Sequence, residues 1–421
     1  MKTKIEISQN QFLINGRPSY SELPNPNPAA LGLLWNQRVI NGVFDDRVDK
    51  TRFNQFKMGV FDAEKNTDNL IASLPEWHKY GLRAFTVGFQ GGGTRHCAEI
   101  TEVDNNPFGR DGKTLDPAYA ARMHRIITAA DELGMVVIVC FLYWAQILRM
   151  DGEEAAVSAV KTGCEFLRGG GYTNVMLDVV NEYGIGLYNR WPLLHKPENM
   201  ARLIANAREW SGGMPSASSN GGGRADKEVI AASDIALIHG NNLYRGQLYD
   251  FFNKAHKMAD GKPVICNEDS PCYSYVDVGL ETYVSWGYYN NYTKQIPPAD
   301  YGVTPGEDLF FARRMARATG IPIEELPLRE QFYLAGLEPW TAVHGRRFLR
   351  LAAEFPENIR YVDFYLNGEK IYRAYDEPFF LHREMTWLAT PREVSPDDRE
   401  WKAVVTMCDG TVIEKTEKIE K

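Results

Sequence analysis

Eight short apolar runs recur along this chain with amphipathic helical patterns between them, and that alternation restricts the fold more than any other feature. The runs are Leu31–Asn36, Ala84–Phe89, Val136–Tyr143, Val175–Asn181, Ser216–Ser219, Ile235–His239, Val264–Asn267 and Tyr283–Tyr288. They are nearly continuous in apolar residues, as expected of parallel strands covered on both faces. Helical periodicity is found over Thr67–Tyr80, Pro117–Leu133, Glu153–Leu167, Pro197–Trp210, Lys227–Ala232 and Leu248–Met258, with Glu307–Thr319 after the last run. Asp116-Pro117 opens the second helix and Gly134 closes it, a start signal and a stop signal in the right order. The count and order predict an α/β fold, a (β/α)8 TIM barrel over residues 1–354, with an N-terminal hairpin of Ile5–Ile7 and Phe12–Ile14 around Asn15-Gly16.

Beyond Phe355 the period shortens. Arg360–Leu366, Asn367-Gly368, Lys370–Tyr375, Trp401–Met407 and Asp409-Gly410 read as strands joined by turns, so a small C-terminal β-sandwich is expected over residues 355–421. No internal repeat or low-complexity tract interrupts this two-part organisation.

Composition narrows the partners. The chain has 47 basic and 55 acidic residues, a formal net charge of −8, and no basic block, which argues against a nucleic-acid partner. No apolar stretch reaches the ~18 residues of a membrane span. The best one, Met135–Leu148, contains Gln146. The N-terminus alternates polar with apolar residues and shows no signal peptide, so the chain is expected to be cytoplasmic or to have lost a leader. Six cysteines (Cys97, Cys140, Cys164, Cys266, Cys272 and Cys408) form no CxxC pair and read as free thiols. The runs Gly91-Gly92-Gly93 and Gly221-Gly222-Gly223 lack the Lys-Ser/Thr that a phosphate cradle needs, and they read as loops.

In such a barrel, reactive groups stand at the C-terminal ends of strands. Two carboxylates interrupt apolar runs there: Glu182 ends the fourth strand in NVMLDVVNEYG, and Glu268 ends the seventh in KPVICNEDS. Two carboxylates facing one pocket are what glycosidic-bond cleavage needs, one protonated to assist the leaving oxygen and one ionised to attack or stabilise the anomeric carbon.

The motifs VVNEYG (Asn181, Glu182), PVICNED (Glu268) and VSWGYYN (Trp286) resemble those of the retaining glycoside hydrolases of clan A. That resemblance implies Glu182 as acid/base, Glu268 as nucleophile, Asn181 as partner of the sugar 2-hydroxyl and Trp286 as the floor of the sugar subsite. FDAEKNTDNLIASLPEWHKYGLRAFTVGFQGG and ASDIALIHGN look like an uncharacterised bacterial group within that clan, and VDFYLNGEKIYRAYDEPFFLHREMTW resembles bacterial Ig-like modules. The sixth strand departs from better-known members by ending in His239-Gly240-Asn241, which leaves His239 or Tyr244 to support the nucleophile. Asn241 lies in the same loop.

Further candidates follow from position. Arg38, near the end of the first strand, would keep Glu268 ionised, and the charge of Glu268 would raise the pKa of Glu182. Tyr143, Trp144, Trp191 and Tyr288 could offer stacking faces. Asp178 is expected to point elsewhere by alternation, and Asp269 is a supporting acid. The chemistry requires no cofactor and no metal, and a carbohydrate is the implied partner. The alternative readings are a non-catalytic carbohydrate-binding or scaffold protein and, less favoured, a metal-dependent barrel enzyme. Sugar, linkage and oligomeric state are not legible.

Overall fold

The computed structural model describes residues 1–52, 60–91, 101–295, 299–338 and 345–419. Cys97 and the Gly92-Gly93 pair lie outside them. The fold is α/β. We label its parallel strands β1 (Asn36–Arg38), β2 (Ala84–Gly88), β3 (Val136–Leu142), β4 (Val175–Val180), β5 (Ser216–Ala217), β6 (Ala236–His239), β7 (Val264–Glu268) and β8 (Gly287–Tyr288). Six form one parallel sheet in the order β8-β1-β2-β3-β4-β5, while β6 and β7 pair in parallel as a second. A parallel bridge between Ile265 and Ser285 ties β7 to the residues entering β8, and the Asp234 amide donates to the Ser216 carbonyl at 3.0 Å beside β5 and β6.

The helices between strands pack their apolar faces onto this sheet in one large cluster. Pro197–Trp210, Lys227–Ala232 and Glu307–Thr319 have the expected bounds. The first helix, Ala63–Lys79, starts earlier than its periodicity suggested because the Asp62 carboxylate accepts from the Lys65 amide and caps it. A helix over Tyr275–Thr282 escaped the pattern. It is buried on most sides (Tyr275, Val276, Val278, Gly279 and Thr282), and at eight residues, with only Asp277 and Glu281 exposed, it is too short to show a clear period.

Strand β1 begins at Asn36, where the apolar run Leu31–Asn36 was expected to end. Apolarity there records burial and not pairing: Gly32 accepts from the Phe12 amide of the hairpin, and the paired residues are the polar Asn36, Gln37 and Arg38. The hairpin strands Ile5–Ser8 and Gln11–Ile14 place Ile5 and Phe12 in one cluster with Ala84, Val136, Ile138, Met176, Leu237 and Ile265. That cluster covers the N-terminal ends of the strands, on the side away from their C-terminal ends.

The C-terminal region is rich in β-structure. Glu369–Ala374, Ile359–Leu366, Glu400–Met407 and Val412–Lys418 form an antiparallel four-stranded sheet in that order. A second antiparallel sheet joins Phe332–Ala335, Arg350–Ala353 and Phe379–Phe380. Both feed one apolar cluster that includes Phe332, Leu351, Val362, Phe364, Trp401 and Val405, so this cluster draws on residues either side of position 354. Buried ion pairs fasten it to the α/β part. Arg350 bonds Glu307 through Nε and NH2 at 2.6 and 2.7 Å, and Arg313 bonds Glu354 at 2.7 Å. No helix among the described residues is long and apolar enough to cross a membrane.

Candidate active site

Two local irregularities put the two carboxylates where they are. Glu182, two residues past β4, has φ +52°, a left-handed conformation that costs a non-glycine residue of order 1 kcal/mol. The backbone on both sides is clamped: the Asn181 amide donates to Leu142 O (3.1 Å), the Glu182 amide to Ser219 Oγ (3.0 Å) and the Tyr183 amide to Ser219 O (3.0 Å). At β7 the register slips. Cys266 pairs with Ile238 but Glu268 pairs with His239, so Asn267 is the extra residue of a bulge.

His239 sits between the two acids. Its Nδ1 lies 3.1 Å from Glu182 Oε1 and 3.5 Å from Glu268 Oε2. Taking one donor atom from each of Glu182, His239 and Glu268, all lie within 4.8 Å of one another. Arg38, fully buried, places Nε 2.8 Å from Glu268 Oε2 and donates from NH2 to Asn181 Oδ1 at 2.9 Å. Asn241 Nδ2 donates to Glu268 Oε1 at 3.3 Å and to the Asp269 carbonyl at 2.8 Å. One guanidinium thus orients residues from the fourth and seventh strands together.

Burial pushes the Glu182 carboxyl up to about 7, against the pull of Arg38. The cause is burial and not the charge of Glu268, as position alone had suggested. Burial raises Glu268 as well, opposed by Arg38, His239 and Asn241. Burial lowers His239, which favours the neutral ring; in the tautomer with hydrogen on Nδ1, that single hydrogen serves one carboxylate at a time. Asp269 is raised to about 8 by burial, with its Oδ2 accepting from Trp286 Nε1 at 2.8 Å.

The structure thus brings together Glu182, Glu268, Asn181, Arg38, His239 and Asn241. Two other expected residues go elsewhere. Trp286 is fully buried against Tyr275 and Phe311, with no face open to a sugar. The reason is alternation: Trp286 and Tyr288 share the face turned to the helix Glu307–Thr319, with Tyr288 stacked on Phe311 at 4.4 Å. Gly287, between them, faces the opposite way, where a Cβ would strike Asn36 Oδ1. Tyr244 is 41% exposed, caps the helix Arg245–Ala259 and carries the Arg383 guanidinium 5.1 Å over its ring.

Asp178 was expected to point elsewhere, yet it faces inward, accepting from the Ser219 amide at 2.9 Å and Oγ at 3.0 Å. It has the parity of Glu182, and it forms the layer beneath the acids with Asn267 and Thr86. The aromatic that stands beside the site is Tyr289, whose ring lies 5.9 Å from the Arg38 guanidinium carbon. The signal was present in VSWGYYN: of its aromatic residues, only Tyr289 has the parity of Gly287. Tyr143 is buried close enough to be influenced by Arg38, Glu268 and Glu182, and its neighbour Trp144 packs over Gly186. Trp191 packs on the main apolar cluster.

Glu182, His239 and Glu268 also form the donor set that could hold a divalent cation. The Arg38 charge at 2.8 Å from Glu268 works against that occupant. Cys140, Cys164, Cys266 and Cys272 are buried free thiols, and Cys408 is exposed and free. The Gly221–Gly223 loop packs on the loop after β6, with Gly222 against Asn241.

No family model matches the chain, and no curated protein matches it. Among solved structures it is similar to a Bacteroides vulgatus protein assigned as a glycoside hydrolase, at 10% identity and a TM-score of 0.52 over 98% of this chain and 75% of that one. It is also similar to a structure described as a glycoside hydrolase, at 10% identity and a TM-score of 0.50 over 94% of both chains. At such identity the likeness is one of fold.

Proposed function

We propose that this protein is a glycoside hydrolase that cleaves a glycosidic bond with retention of configuration. The observation that carries the reading is the convergence of Glu182 and Glu268 on His239, with their nearest oxygens within 4.8 Å and only Glu268 paired directly with Arg38. A short separation suits double displacement, in which carboxyl groups ~5–5.5 Å apart leave no room for a water between acid and sugar, whereas inversion needs ~6.5–9.5 Å. The resemblance of both matched structures to this fold supports the reading, as does the order of the motifs NEYG and NEDS along the chain. We read the eight parallel strands as a closed (β/α)8 barrel and the C-terminal sheets as a β-sandwich of Ig-like type.

Glu182, held up near 7, donates a proton to the glycosidic oxygen while a carboxylate oxygen of Glu268 attacks the anomeric carbon and the aglycone leaves as an alcohol. Glu182, now ionised, takes a proton from water, whose oxygen displaces Glu268 and releases the sugar. Arg38 holds Glu268 in its ionised form and aims Asn181 toward the sugar 2-hydroxyl. Neutral His239, with Nδ1 nearest Glu182 Oε1, positions one acid at a time without adding charge.

A panel of 4-nitrophenyl glycosides tests the reading. Wild type is expected to turn over at least one, Glu268→Gln to abolish that turnover, and Glu182→Gln to lower it ~10²–10⁴-fold. Full activity in both variants refutes it. A second reading, non-catalytic carbohydrate binding on the same scaffold, is favoured if sugar binds without turnover and neither substitution changes its affinity. Loss of turnover on chelation would favour the cation.

A further inference from the structure

The C-terminal region reaches the candidate site through one hairpin. Arg383–Met385 pairs with Leu388–Ala389, which makes Thr386-Trp387 its tip. The tip is fastened to the loops that carry the site. Thr386 Oγ1 accepts from the Asn242 amide at 2.9 Å and bonds Ser270 Oγ at 2.7 Å. Asn242 follows the Asn241 that donates to Glu268, and Ser270 stands two residues beyond Glu268. Both legs are anchored too, by Arg383 over the Tyr244 ring at 5.1 Å and by the Ala389 amide donating to Tyr292 Oη at 2.7 Å.

Burial at this tip is the reverse of what folding alone favours. The small polar Thr386 is buried, while Trp387 is only half-buried. Trp387 belongs to none of the apolar clusters among the described residues. Its ring lies instead 6.4 Å from that of Tyr289, the residue under Arg38. A half-buried indole beside a charged pocket suits the apolar face of a sugar ring.

We propose that Trp387 is a substrate-positioning residue, stacking on a neutral pyranose held on the Tyr289 side of Glu268, so that the C-terminal region completes the substrate site. This inference rests on the glycosidase reading. The full-length protein, Trp387→Ala and Trp387→Phe are compared on the 4-nitrophenyl glycoside that wild type turns over, and by fluorescence titration with neutral gluco-, manno-, galacto- and xylo-hexaoses. Trp387→Ala is expected to raise KM about tenfold, the equivalent of ~1.4 kcal/mol, with kcat within about twofold. Trp387→Phe should recover most of the loss at an unchanged melting temperature. Unchanged KM and affinity in Trp387→Ala overturn the proposal, as does a loss that tracks a lowered melting temperature, which would report an undocked hairpin. Binding without cleavage sinks the hydrolase reading alone, and Trp387→Ala is then judged on affinity. Neither binding nor cleavage sinks both.

Discussion

At the scale of single residues, the site depends on two acids in one buried setting treated differently by one guanidinium. Glu182 is raised to about 7 with no direct cationic partner, and Glu268 is raised by burial but paired with Arg38 at 2.8 Å. An acid that must be protonated to work loses function as pH climbs through its pKa, so turnover is expected to fall above pH of about 7. In the proposed mechanism the acid limb belongs to Glu268, which acts in its ionised form. Arg38→Met removes the charge that lowers its pKa, so that limb should move to higher pH, by about one unit for each ~1.4 kcal/mol of lost attraction. A pH–rate profile of kcat/KM for both proteins checks this, and an unmoved acid limb would exclude the assigned role of Arg38. Asp269, raised to about 8, follows the linkage of a buried neutral acid: the stability of its protonated form is fully present below the unfolded value and is lost as pH rises through about 8. Asp269→Asn, which cannot ionise, should therefore melt higher than wild type at pH 9 and close to it at pH 5. Thermal melts at the two pH values decide it.

At the scale of elements, the strand ends were legible and their fine geometry was not. The Asn181-Glu182 and Asn267-Glu268 pairs show in the sequence as polar residues closing apolar runs. Neither the left-handed backbone at Glu182 nor the bulge at Asn267 leaves a local signature, because both are held by partners on neighbouring strands, Ser219 and His239. The misassigned aromatic has the same origin. Counting from the strand end pointed to Trp286, whereas the parity that turns Gly287 inward also turns Trp286 out. Between elements, Arg350 and Glu307 form a nearly buried bidentate pair that also takes a bond from Asn290. Arg350→Met leaves that carboxylate buried without its charge partner, a loss of ~3–5 kcal/mol expected in urea unfolding. Adding Glu307→Gln should return much of it, and no recovery would mean the cost lies in packing.

At the scale of the whole molecule, the two parts are joined by more than a linker. Strands Phe332–Ala335 and Arg350–Ala353 precede position 354 yet share an apolar cluster with Val362, Phe364 and Trp401 beyond it. A chain ended after Glu354 would leave Phe332, Leu334 and Leu351 without that cover, and it is expected to aggregate in size-exclusion chromatography. A monomeric, active truncation would show the cluster to be dispensable. The alternation of buried runs and helical periods determined the α/β class, the order of the strands and the two strand-end acids, because period and burial are written locally in residue type. Which side chains meet was decided only by the tertiary structure. Arg38 bridging Asn181 and Glu268, His239 between the acids and Trp387 arriving from a distant hairpin are contacts between residues far apart in the chain. Their distances depend on strand register, bulges and docking, which no local pattern encodes.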